Sequence, residues 1–277
     1  MSCSPKEYFL ITGTFTGTGS KGIYVYRFNS TTGGTSLVGH TDSVASPSFL
    51  IVSGKYMYSV NETNGINPGS VSAFEFDNSN GKIKFLNKQV TGGDDPCHLA
   101  ISNDKKWLAV GNYGGGSLSV FPIAADGSLK PYAQLIQNSG SGFIKERQEK
   151  PHVHEAVFTA DGKYLISPDL GLDKVMVYNF DGKKEKPLTP AEQPYVASPA
   201  GSGPRHITFS PGGNHAYLIR EIDGIVTAYD YKDGKFIEIQ TIASYPTGFN
   251  GVLDGAEILV SSDGKFLYTS QRGDQNA

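Results

Sequence analysis

Four short stretches of the chain carry residue types that can do acid–base or anion chemistry. "PHVH" (151–154) holds His152 and His154. "GPRH" (203–206) holds Arg205 and His206. "RE" (220–221) ends in Glu221, and "RG" (272–273) begins with Arg272. An imidazole titrates near neutral pH and can take a proton from water. Guanidinium groups supply permanent positive charge in a fork that matches carboxylates and phosphates. A carboxylate can orient an imidazole or act as a base itself. Together these groups can bind an anionic ligand and exchange a proton with water. Two histidines one residue apart also invite a metal reading. A metal site needs three or more ligands, so packing or support is the plainer role and no metal is expected.

Two other signals are weaker. Cys97 and His98 have the types of a nucleophile and its base, but adjacent residues on a strand diverge, which makes packing or rim lining the plainer role. "NYGGGSLSV" (112–120) has three glycines, yet no helical pattern follows, so a tight hairpin fits better than a phosphate loop.

Groups spread from 152 to 272 work together only if the chain brings them to one place, and the sequence repeats itself in a way that does so. "SGKYMYSVNE", "DKKWLAVGNY", "DGKYLISPDL", "GGNHAYLIRE" and "DGKFLYTSQR" each show a turn, an aromatic or His, then alternating apolar residues. Tyr56, Trp107, Tyr164, His215 and Phe266 are spaced by 51, 57, 51 and 51 residues, and Tyr8 precedes Tyr56 by 48. About ten residues after these comes a second alternating strand, with Phe28, Phe76, Ile123, Phe180 and Tyr231 in register. A third strand precedes each turn. Short strands repeated at about 50 residues predict an all-β fold, a β-propeller of four-stranded blades. The last repeat stops at "QRGDQNA". The expectation is therefore a single propeller domain over 1–277 that lacks about one and a half blades at its C-terminus.

The register also predicts geometry. Ser48, Cys97, His154, Arg205 and Ala256 occupy one slot at the start of the inner strand, with Phe49, His98, Glu155, His206 and Glu257 next to them. Glu62, Tyr113, Leu170, Glu221 and Arg272 close its hairpin partner. Antiparallel pairing brings the start of one strand to the end of the other, so these positions ring one mouth of the channel. His154, Arg205, Glu221 and Arg272 are expected to converge there, with Tyr113, Glu62 and His206 able to join them. The insertion "NSGSGFIKERQEK" (138–150) accounts for the spacing of 57 and is expected to form a flap over the mouth.

The chain resembles the propeller lactonase family, whose members include a 6-phosphogluconolactonase and a carboxymuconate cycloisomerase. "SKGIYVYRF", "PSFL", "VNE", "PCHL", "NYGGGSLSVFPI", "RQEKPHVH", "DLGLDKVMVY", "GPRHITFSP" and "AEI" carry the resemblance over nearly the whole length. It implies seven blades and puts active-site residues at His152 or His154, Arg205, Glu221 and Arg272. Arg220, where the family has Asn, and Leu259, where a polar residue is common, are departures expected to bear on substrate preference.

The expected activity is hydrolysis of a sugar lactone, 6-phosphogluconolactone to 6-phosphogluconate in the pentose phosphate route. His154 or His152 is the expected base. Arg205 and Arg272 hold the carbonyl or anionic groups, and Glu221 orients. An arginine with Lys145 or Arg147 would anchor the phosphate, and Tyr113, Glu62, His206, Arg147 and His98 are the substrate-binding candidates. No cofactor is required. The alternatives are a cycloisomerase holding a dicarboxylate and a non-catalytic binding or scaffold propeller.

Net charge is −3, so no global field points to nucleic acid or an anionic membrane as partner. No stretch approaches the roughly 18 apolar residues of a membrane-spanning helix. With only Cys3 and Cys97 there is no disulfide framework, and the start of the chain reads as a tail entering a strand rather than a leader. A cytoplasmic location is the expectation.

Overall fold

The computed structural model of the protein describes residues 6–17, 19–42 and 44–273; Cys3 lies outside them. It is an all-β propeller arc of six antiparallel sheets that follow one another in chain order. The first sheet has β1 (Glu7–Thr12), β2 (Ile23–Asn29) and β3 (Thr35–Thr41). Four complete blades follow. They are β4 (Leu50–Ser53), β5 (Tyr56–Asn61), β6 (Ser70–Phe76) and β7 (Ile83–Val90); β8 (Pro96–Ile101), β9 (Trp107–Asn112), β10 (Ser117–Pro122) and β11 (Gln134–Gln137); β12 (Val157–Phe158), β13 (Tyr164–Asp169), β14 (Lys174–Phe180) and β15 (Leu188–Ala197); and β16 (Pro204–Phe209), β17 (His215–Arg220), β18 (Ile225–Lys232) and β19 (Lys235–Ala243). The last sheet pairs β20 (Gly255–Val260) with β21 (Leu267–Gln271). No helix among the described residues is long and apolar enough to cross a membrane.

One hydrogen-bonded turn sets the repeat. In four sheets the residue just after the first strand is a Ser or Thr whose hydroxyl accepts from a backbone N–H at the start of the next strand. The pairs are Ser102 with Trp107 at 3.1 Å, Thr159 with Tyr164 at 3.1 Å, Ser210 with His215 at 3.1 Å and Ser261 with Phe266 at 3.0 Å. In three of them the hydroxyl also donates to an Asp two residues on, at 2.6 Å. The turn needs a residue in the left-handed region, filled by Gly162 and Gly264 but by Lys105 in the blade that lacks the glycine. This local chemistry is what the 51-residue spacing of aromatic positions records.

The core lies between the sheets. Alternate side chains of a strand point to opposite faces, and here both faces are covered. On β5, Met57 packs with Ile23 and Phe74 toward the first sheet, while Tyr58 and Val60 pack with Leu99, Leu108 and Phe121 toward the third. Trp107 and Leu165, then Ile166 and Leu218, then Ile219 and Ile258 continue the series from blade to blade. Each large apolar side chain fully buried this way contributes about 1.5–3 kcal/mol. Cutting the fully buried Leu108 to Ala would cost about 2–5 kcal/mol through the cavity it leaves.

Candidate active site

The chain reaches the channel mouth through one backbone device used five times. The residue after the second strand donates its N–H to a carbonyl at the entrance of the first. The pairs are Glu62 to Ser46, Tyr113 to Asp95, Leu170 to His152, Glu221 to Gly203 and Arg272 to Asp254, at 2.7–3.0 Å. Ser46, Asp95 and Gly203 have positive φ there. A β carbon on Gly203 would also sit 2.8 Å from Ile222. The strand pairing then slips by one residue, between Pro96 and His98 in β8, between Pro204 and His206 in β16, and between Gly255 and Ile258 in β20. A β-bulge re-aims the residue it inserts. The inserted residues Cys97 and Arg205 accordingly line the mouth cavity.

The last residue of the second strand is a fastener. Asn61 and Asn112 each donate to two serine hydroxyls of the neighbouring strand, at 2.9–3.1 Å. Asp169 accepts from the His152 N–H at 2.8 Å and the Asn138 amide at 2.7 Å. Arg220 does the same work with a two-point ion pair to Asp223 at 2.8 and 3.0 Å and a contact with the Thr227 hydroxyl. It does not line the cavity, and Leu259 lies exposed on β20 away from it, so neither departure sits where it would meet a substrate.

The cavity measures about 470 Å³. His154, Arg205, Glu221 and Arg272 all line it, as do Tyr113, Glu62, His206 and Arg147. At its centre the Glu221 carboxylate, 3% exposed, takes three arginines from three parts of the chain. Arg147 of the insertion meets Oε1. Arg205 meets Oε2, and Arg272 reaches Oε2 at 2.9 Å and Asp254 at 2.7 Å. Burial alone would raise the Glu221 pKa, but Arg205, Arg272 and Arg147 together hold it below the ordinary glutamate value. The guanidiniums differ in access. Arg205 is 12% exposed, against 43% for Arg147 and 47% for Arg272.

His154 is not placed as the base expected of it. Arg205 Nη1 donates to its Nε2 at 2.7 Å, which occupies the imidazole's lone pair and leaves the proton on Nδ1. Burial, with Arg205 and His206 adding to it, holds its pKa well below the ordinary histidine value, so the ring is neutral. It holds Arg205 in place.

His152, unlike His154, does not line the cavity. Its Nδ1 donates to the Tyr113 carbonyl at 3.0 Å and its ring stacks on Tyr113 at 4.4 Å, fixing that side chain from behind. His98 is a further correction. It does not line the cavity but packs against the Phe49 ring at 4.0 Å, 3.6 Å from the buried Glu155. Burial, then His206 and Arg205, keep it neutral.

The insertion is a fastened wall. Gln148, fully buried, donates to the Leu170 carbonyl at 2.8 Å and Asp173 at 2.7 Å and so presents Arg147 to Glu221. Lys145 does not line the cavity.

The strand-end pattern gave no notice of Asp254, which lines the cavity from the entrance of β20 beside Glu257, a position the register puts at the mouth. A signal was present outside that pattern, since Asp254 falls at the carbonyl position of Ser46, Asp95 and Gly203. Cys97 also lines it, but burial, with Glu62 nearby, pushes its thiol up and keeps it protonated. Among the described residues no three of His, Cys, Asp and Glu are grouped to hold a metal ion.

The arrangement gathers three arginines on Glu221 in a cavity that Glu62, Asp254 and Glu257 also line; the guanidiniums suit an anionic substrate with a polarised carbonyl and the carboxylates can exchange a proton. The sequence profile of the family described as "Lactonase, 7-bladed beta-propeller" matches residues 9–277. The chain is 34% identical to the 6-phosphogluconolactonase of Bacillus subtilis strain 168 over 271 residues, covering 96% of this chain and 75% of that one. It is 36% identical to the 6-phosphogluconolactonase of Formosa agariphila, covering 91% of this chain and 72% of that one. Among solved structures, the periplasmic gluconolactonase of Pseudomonas aeruginosa superimposes with a TM-score of 0.91 at 36% identity, over 97% of this chain and 77% of that one. A candidate 6-phosphogluconolactonase from Bacteroides fragilis also gives 0.91, at 42% identity, over 98% of this chain and 76% of that one.

Proposed function

The chain belongs to the seven-bladed β-propeller lactonase family, and we propose that it hydrolyses the ring ester of 6-phosphogluconolactone at the channel mouth. The observation that carries the reading is the meeting of Arg147, Arg205 and Arg272 on Glu221 inside the cavity. Arg147 and Arg272 are the open guanidiniums and hold the phosphate by displacing part of their contact with Glu221. Arg205 is the enclosed one, fixed by His154 and Glu221, and faces the lactone carbonyl. As water adds to the carbonyl carbon, charge builds on its oxygen next to a guanidinium already in position. Losing one such donor typically costs about 10²–10³ in kcat.

Glu221 keeps the three cations together before substrate arrives and keeps Arg205 aimed afterwards. Tyr113, braced by His152, forms the wall between Arg147 and His154. The same arginines would hold a dicarboxylate, but the similar proteins are named as lactone hydrolases, which favours hydrolysis over cycloisomerisation. A cytoplasmic location goes with this reading, supported by the free thiol of Cys97; one similar structure is that of a periplasmic protein. The test is hydrolysis of 6-phosphogluconolactone by the purified protein above the uncatalysed rate, with Arg205→Met alongside. A rate equal to that of buffer would remove the assignment.

A further inference from the structure

The arginine pocket explains how charge on the carbonyl oxygen is met, and leaves open which group takes the proton from the attacking water. His154 Nε2 already accepts from Arg205. Both oxygens of Glu221 are held by arginines. Asp254 accepts from Arg272 at 2.7 Å. Glu257 accepts its own strand's Ile258 N–H at 3.0 Å and lies 3.4 Å from His206. Glu62 differs from all of these. It lines the cavity and its Oε2 takes the neutral Ser48 hydroxyl, and among the described residues its carboxylate is ion-paired with no Arg, Lys or His, whereas Asp254 pairs with Arg272 and Glu257 with His206.

From this we infer that Glu62 is the general base of the reaction, a catalytic residue that receives the water proton on Oε1; the inference rests on the lactone-hydrolase reading. One water proton passes to the Glu62 carboxylate as the water oxygen bonds the carbonyl carbon. The carbonyl electron pair moves onto its oxygen beside Arg205. The tetrahedral adduct then re-forms the carbonyl and breaks its bond to the ring oxygen, which takes the proton back from Glu62. The product is an open-chain hydroxy acid, whose carboxyl proton ionises to solvent, and Glu62 is again a carboxylate.

The placement supports the role. Glu62 is the first residue after β5, held by its N–H to Ser46, so its backbone is fixed while its side chain reaches the mouth. The groups that act on it are Ser48 ahead of β4, Asp95 and Cys97 at the entrance of β8, and Arg205 on β16. Burial raises its pKa above the ordinary glutamate value; Asp95 adds to the rise, while the Ser48 hydrogen bond and Arg205 oppose it. A carboxylate made more basic in this way is a better proton acceptor, which is what proton abstraction needs.

Glu62→Gln keeps an acceptor for Ser48 and removes the base. It should lower kcat at least about 100-fold with KM changed only a few-fold. The wild-type kcat/KM should fall on the acid side along a limb centred above about 4.3, and that limb should vanish in Glu62→Gln. Ser48→Ala removes a bond that favours the ionised form, so the limb should move to higher pH. A folded Glu62→Gln with wild-type kcat and limb overturns the inference while leaving the lactonase reading intact. If Glu62→Gln does not fold, Ser48→Ala decides, and an unmoved limb overturns it. A wild-type protein that hydrolyses no lactone overturns both.

Discussion

Arg205 donates to His154 Nε2 at 2.7 Å from the next blade round the ring, and this one bond sets the protonation of the imidazole. A guanidinium can only donate, so the ring nitrogen it touches must accept. His154 is therefore the holder of Arg205. His154→Gln, whose amide oxygen can accept the same N–H, should keep more activity than His154→Ala. We expect a gap of about tenfold or more in kcat/KM, equivalent to about one charge-assisted hydrogen bond. Steady-state kinetics on the two variants would check it, and equal losses would return His154 to the role of base.

Arg147 and Arg272 are the open members of the cluster and are assigned to the phosphate. Arg147→Ala should raise KM for the phosphorylated lactone by about 10–100-fold and leave an unphosphorylated sugar lactone nearly unaffected, since a charge-assisted bond is worth about 1.5–3 kcal/mol. Comparing the two substrates separates loss of a phosphate anchor from general damage to the site.

Glu221 neutralises three cations in a small volume. Glu221→Gln should destabilise the fold by about 3 kcal/mol, toward the low end for a broken buried pair because Arg147 and Arg272 remain partly solvated. Added inorganic phosphate should recover part of the lost melting temperature in this variant and shift the wild type less. Thermal denaturation with and without phosphate reads both effects.

Below the mouth, acid and base titrations act in opposite directions on stability. His98, His154 and His206 have pKa values depressed mainly by burial. Their contribution is present above the unfolded value of about 6.5 and is lost as pH falls through the folded values. Glu155 has its pKa raised well above the ordinary value by burial, against the Ile207 N–H that donates to it at 2.6 Å. Its contribution is present below about 4.3 and is lost as pH rises through the folded value. In Glu155→Gln the opposing Glu155 contribution is removed, so stability should rise more steeply between pH 5 and 7 than in wild type. Urea midpoints at several pH values would show it.

The blade register was legible because it is written in local chemistry. The Ser102–Trp107 and Thr159–Tyr164 turns need a hydroxyl five residues before the strand opens, and that requirement repeats along the chain. The convergence of Arg205, Glu221 and Arg272 followed from the same register, since pairing alone brings those positions together. What strand alternation did not disclose was the bulge. It turns Cys97 and Arg205 into the cavity, and it gives β20 both the small Ala256 and the lining Glu257. The roles of His152 and His154 were illegible for another reason. Both depend on partners far away in sequence, the Tyr113 carbonyl and the Arg205 guanidinium, and no local pattern names those partners.

The recurrent bulge also separates what the fold must conserve from what it is free to vary. The side chain it turns toward the mouth is outside the in–out alternation that fills the spaces between blades. Ser48, Cys97, His154 and Arg205 differ in size, charge and polarity, yet Leu50, Leu99, Ala156 and Ile207, each two residues on, stay apolar. Each blade thus offers an interchangeable socket at its mouth. New specificity can be installed there one blade at a time, by mutation in the laboratory or by drift in a lineage, while the interior stays as it is.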